Sequence, residues 1–137
     1  MNNLNMTIRL MDGPALSGLI EMLSELEIAV LKGPEVGLIM VSATDPFSTD
    51  FHLGEALVTQ AIVEYRGEKG FGMLLGDQPE RAIALASVDA LDRAGAPELE
   101  KIGEALEPEH VKVMEALKRE EAIVESTRVK FESMVIG

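Results

Sequence analysis

Four side chains between positions 45 and 55 carry the most reactive-looking pattern in the sequence: Asp45, Asp50, His52 and Glu55. Carboxylates with one imidazole are donor types that a hard or borderline cation could use. Their spacing matches no established loop and lacks the regular oxygen ladder of a calcium site. Asp45-Pro46 and Ser48-Thr49-Asp50 are also ordinary turn formers, so no metal is assigned. Acid–base chemistry has two candidates, His52 and His110. A general base needs a partner within proton-transfer reach, and neither histidine comes with a Ser, Cys or Lys in a recognisable motif. His110 follows Pro108-Glu109 at an expected helix start, where a solvent-facing imidazole is unremarkable. A metal hydrolase built on His52 and Glu55 is the weakest reading of these residues. The turn Leu74-Leu75-Gly76-Asp77-Gln78-Pro79 joins a strand to a helix, as a phosphate cradle would. It holds one Gly, an acid facing the anion and a Pro without an N–H, and reads as a tight turn. No self-sufficient catalytic set emerges, and Glu55 alone is kept as a catalytic candidate.

The elements around these residues follow from periodicity. Asp12-Gly13-Pro14 starts a helix after a few frayed residues, with Leu16, Leu19, Ile20, Leu23 and Leu26 at helical spacing to about Glu27. Ile28 to Leu31 is a short β-prone run ended by Lys32-Gly33-Pro34. Val36 to Ala43 is a second strand, apolar on both faces and therefore expected in the centre of a sheet. From Glu55 to Tyr65 the pattern is strand again, with Leu57, Thr59, Ala61, Val63 and Tyr65 on one face. Arg66 to Gly70 turns the chain into a partner strand, Phe71 to Leu75, whose glycines predict bulges or close backbone approach instead of regular pairing. Asp77-Gln78-Pro79-Glu80 opens a helix whose apolar positions cover most of its circumference, stopped by Gly95-Ala96-Pro97. Glu98 to Glu125 is charged and helical, broken near Glu107-Pro108. Val129 to Val135 alternates apolar and polar and reads as a last strand. This order predicts one domain over 1–137 of the α+β class, a mainly antiparallel sheet with helices packed on it.

Composition narrows the function classes. The 137 residues hold 24 acids against 12 basic residues, a net charge of −12. Nucleic-acid binding draws its affinity from neutralised phosphates, so nucleic acid is not an expected partner, and four Phe, one Tyr and no Trp make no stacking platform. The absence of cysteine excludes disulfides, thiolate metal sites and a cysteine nucleophile within these residues, and points to a cytoplasmic setting. Neither an export signal nor a membrane span is expected. Eight methionines suit an adaptable interface as well as a core. Bottom-up, the chain reads as a binding or scaffolding domain.

Several motifs carry a family resemblance. Pro34-Glu35-Val36-Gly37-Leu38 before a strand, Phe51-His52-Leu53-Gly54-Glu55 running into Leu57-Val58-Thr59, and Gly76-Asp77 before the Ala-rich helix ending Val88-Asp89-Ala90-Leu91 resemble the phosphonate C–P lyase system subunit PhnG. So does the ending Arg128-Val129-Lys130-Phe131-Glu132-Ser133-Met134-Val135. The chain departs from the family pattern in its Pro46-Phe47-Ser48-Thr49 loop, at Gln60 and at Ile136. The resemblance implies a multi-subunit core with PhnH-, PhnI- and PhnJ-like chains. With an ATPase-like subunit, that assembly replaces the adenine of ATP by an alkylphosphonate, giving a ribose 1-phosphonate 5-triphosphate. It implies no cofactor in this chain and an interface role for Phe51, Leu53, Gly54, Thr59, Arg128, Phe131 and Met134. The alternative is a stand-alone scaffold domain that homodimerises through an exposed strand edge.

Overall fold

The computed structural model describes residues 2–44, 46–47 and 49–136, with the side chains of Asn2 and of residues 125–136 outside the description. Its elements run α1 (Asn2–Leu10), α2 (Gly13–Ser24), β1 (Ala29–Thr44), β2 (Asp50–Tyr65), β3 (Glu68–Leu75), α3 (Pro79–Arg93), α4 (Glu98–Ala105) and α5 (Glu107–Ile136). The three strands form one antiparallel sheet in the order β1-β2-β3, backed by helices on one face. The α+β class is as expected.

The core is organised by α3. Ala82, Ala84, Leu85, Ala86, Val88, Ala90 and Leu91 are all buried, and small side chains on the sheet side let the helix come close. Gly70 and Gly72 complete that fit from β3. A Cβ on Gly70 would collide with the backbone at Ala86 and Ala90, and one on Gly72 with the Ala82 carbonyl and the Ala86 amide. The expected close approach is therefore present, while the pairing of β3 with β2 is regular from Val58↔Leu75 to Tyr65↔Glu68. Thr59, Ala61, Val63 and Tyr65 of β2 point into the same core. The helix start at Asp12 is also as read, since its carboxylate accepts from the Ala15 amide at 2.9 Å in the manner of an N-cap.

Thr59 holds the entry to α3. Its hydroxyl donates to the Gly76 carbonyl at 2.6 Å and accepts from the Gln78 amide at 2.9 Å. One buried side chain thus satisfies both sides of the β3–α3 turn. Arg81 does the equivalent for α1: its guanidinium donates to the Ile8 and Met11 carbonyls, each at 2.7 Å, groups that a helix end leaves without a partner of its own.

Four expectations are corrected. The first residues form a helix, α1, in which Leu4 and Ile8 lie four apart; Ile8 is buried, as is Met11 directly after the helix ends. Lys32-Gly33-Pro34 does not separate two strands; β1 continues through it with register shifts between Val30 and Lys32 and between Lys32 and Glu35. Nor is Val36 to Ala43 a central strand, for β1 is an edge strand and is exposed along nearly its whole length. The alternation at 129–135 is not a strand: α5 runs through it to Ile136. No Gly or Pro follows Pro108 until Gly137, so nothing interrupts the helix there.

Candidate functional site

The stretch 50–59 lies on a two-stranded arm. β3 reaches only Val58 on β2, whereas β1 and β2 go on pairing beyond it, from Leu38↔Leu57 to Thr44↔Asp50. Those seven pairs extend the hairpin by roughly 20 Å at the usual strand rise. At the tip Thr44 Oγ1 donates to Asp50 Oδ1 at 2.5 Å, which uses one of the acids to close the hairpin.

Both faces of the arm carry apolar side chains that no described residue covers. Leu38, Met40 and Leu57 continue the face that α3 covers nearer the base, and Ile39, Val41 and Phe51 lie on the other. Leu38 and Met40 are each 63% exposed and Leu53 is 64% exposed. The open face of the sheet extends this surface through Phe71, Met73 and Leu75, all on the side of β3 away from α3. A contiguous apolar surface of this kind is a mark of an interaction site.

The expected interface residues divide accordingly. Phe51 and Leu53 are exposed on the arm. Leu53 is the extra residue at the register shift between Val41 and Ser42, and Gly54 beside it has φ +136°, a conformation open to glycine. Thr59 is different: it is fully buried and its hydroxyl is committed to the β3–α3 turn, so its place is in the core. The side chains of Arg128, Phe131 and Met134 lie outside the described residues.

Glu55 sits in mid-arm opposite Met40 and is exposed. His52 pairs with Ser42. Among the described residues no three metal-ligating groups gather; Asp45 falls outside them. His110, expected to face solvent, is half-buried. Thr7 Oγ1 donates to the Asn3 carbonyl at 2.8 Å and therefore accepts from His110 Nδ1 at 3.1 Å. This pair bridges α1 and α5 at the wall of an open cleft of about 1060 Å³, rimmed by Asp92, Glu100, Glu104 and Glu107. Sequence reasoning missed it because the partners are 103 positions apart. Among the described residues no helix is long and apolar enough to cross a membrane.

A helix-backed antiparallel sheet throws out an exposed apolar arm, a surface of the kind that marks an interaction site. Residues 6–137 match the family described as Phosphonate metabolism protein PhnG. Over 114 residues the chain is 40% identical to the alpha-D-ribose 1-methylphosphonate 5-triphosphate synthase subunit PhnG of Rhizobium meliloti (strain 1021), covering 81% of this chain and 72% of that protein. The chain belongs to the PhnG family.

Proposed function

We propose that this protein is a subunit of an alpha-D-ribose 1-methylphosphonate 5-triphosphate synthase, acting in the cytoplasm in phosphonate breakdown. Its 40% identity to a subunit of that name is the observation that carries the reading. The apolar arm and open sheet face supply the physical complement, since surface of this kind gains stability when another protein covers it. PhnH-, PhnI- and PhnJ-like chains are the partners, and the displacement of adenine from ATP by an alkylphosphonate takes place in the assembly. On this reading the chain brings contact surface and no cofactor of its own, in keeping with an acidic protein poorly suited to hold a triphosphate alone.

The test is co-expression of this chain with PhnH-, PhnI- and PhnJ-like chains, followed by purification through a tag on one of the others. The expected result is a co-purifying complex that releases adenine from ATP in the presence of methylphosphonate, with the activity lost when this chain is omitted. A chain that elutes alone under these conditions overturns the proposal. Glu55→Ala within the complex addresses the one candidate for chemistry: unchanged turnover makes Glu55 a surface carboxylate, and lost turnover with intact assembly gives it a role in the reaction.

A further inference from the structure

A sheet edge is a row of unpaired N–H and C=O groups, and proteins that leave one open shield it with charge, proline or bulges. Among the described residues, three of the four edge segments of this sheet carry a shielding feature. On β3 the Phe71 amide donates to the Asp89 carboxylate of α3 at 2.9 Å. The base of β1 carries Lys32, Pro34, Glu35 and two register shifts. The free edge of β2, beyond the reach of β3, carries Asp50, His52 and Glu55 and the bulge at Leu53. The remaining edge is Val36-Gly37-Leu38-Ile39-Met40-Val41-Ser42-Ala43-Thr44, nine residues with no charge and no proline. Its pairing with β2 is without register shift from Glu35 to Val41, so it presents a straight, apolar template.

We propose that this edge of the arm receives a β-strand from a different polypeptide, which extends the sheet beyond β1. The inference rests on the subunit reading above and specifies how the contact is made. Main-chain hydrogen bonds would supply the affinity of such a strand addition, and alternate side chains its specificity. Leu38 and Met40 on one face and Ile39 and Val41 on the other call for an incoming strand that is apolar on both sides.

Charge sets what flanks that strand. From Gly33 to Tyr65 there is no Lys or Arg, while Glu35, Asp45, Asp50, Glu55 and Glu64 all fall within the span. A second copy would bring the same acids, and the lysine on β1, Lys32, is already paired with Glu35 at 3.4 Å; like charges facing one another across strands are unfavourable. The matching partner carries Lys or Arg beside its apolar strand.

Hydrogen exchange read by mass spectrometry, on the isolated chain and on the co-purified complex, tests the proposal. The measurement compares peptides from 36–44 with peptides from 50–57, with α3 peptides as the internal reference. Strand addition to β1 slows the amides of 36–44 by roughly tenfold or more and those of 50–57 much less. Equal slowing of both strands, or none in a complex that nonetheless forms, overturns strand addition and leaves the subunit reading standing. The same protection of 36–44 appearing in the isolated chain as its concentration is raised makes the occupant a second copy, and overturns the choice of a different polypeptide. If no complex forms at all, both fall.

Discussion

Truncating the arm's three most prominent aliphatic positions, Leu38→Ser, Met40→Ser and Leu53→Ser together, should separate folding from assembly. Each side chain is nearly two-thirds exposed in this structure (63%, 63% and 64%) and contributes little to the chain's own stability. A fully buried Leu or Met is worth about 1.5–3 kcal/mol, so each has about 1–2 kcal/mol still to gain when a partner covers it. The three together come to roughly 3–6 kcal/mol. At about 1.4 kcal/mol per decade this corresponds to a loss of roughly 10²- to 10⁴-fold in affinity for the partner subunits. The isolated variant should unfold in urea within about 1 kcal/mol of the parent, in line with substitutions at exposed sites. Urea titration and quantitative co-purification or light scattering give the two numbers. A variant that assembles within about tenfold of the parent refutes the assignment of the arm to the interface. One that loses several kcal/mol of its own stability refutes the view that the arm is peripheral to the fold.

Other substitutions probe the body. Gly72→Ala forces a Cβ into backbone atoms of α3 and should cost about 3 kcal/mol, the upper part of the usual range for overpacking, visible as a clear drop in Tm. Gly18→Ala is the matching control: it lies within α2 with open space around it and should stabilise by about 0.5–1 kcal/mol. Thr59→Val keeps the shape but strands the Gly76 carbonyl and the Gln78 amide, and should cost about 2 kcal/mol by urea titration; a neutral result would mean that the β3–α3 turn is not pinned by this hydroxyl. His110→Phe leaves Thr7 without its second hydrogen bond and should destabilise by about 1 kcal/mol, with little effect on assembly if the cleft lies apart from the interface.

Much of the body was legible in the sequence because its local signals agree with its packing. Asp12-Gly13-Pro14 and the Ala-rich helix after Pro79 form where their residues demand; the hairpin closes more tightly than read, at Arg66-Gly67, because Glu68-Lys69-Gly70 pair with β2 as the start of β3. The arm was not legible in the same way. Leu38-Ile39-Met40-Val41 has apolar residues on both faces, a pattern that states only that something covers them, and burial by the chain itself and burial by a partner look alike at that level. Positions 129–135 show the limit of a short alternation, since Phe131, Met134 and Val135 also satisfy helical spacing and the long breaker-free run from Glu109 decides between the two. α1 escaped notice because its asparagines favour turns, while Arg81, which secures its end, lies some seventy positions away. The candidate site was legible in its location, Phe51 to Glu55, more than in its nature: the spacing drew attention to chemistry, whereas the structure displays a surface.

The edge of β1 that no described residue shields has a consequence for supply. An isolated copy carries nine uncharged, proline-free strand residues facing water, and such a segment can template aggregation as readily as assembly. Binding that covers the edge favours the folded, dispersed chain by mass action. The concentration of this protein that stays in solution is then governed by how much partner is present to receive it, so that excess production of one subunit would be corrected by loss of that subunit, with no dedicated regulator required.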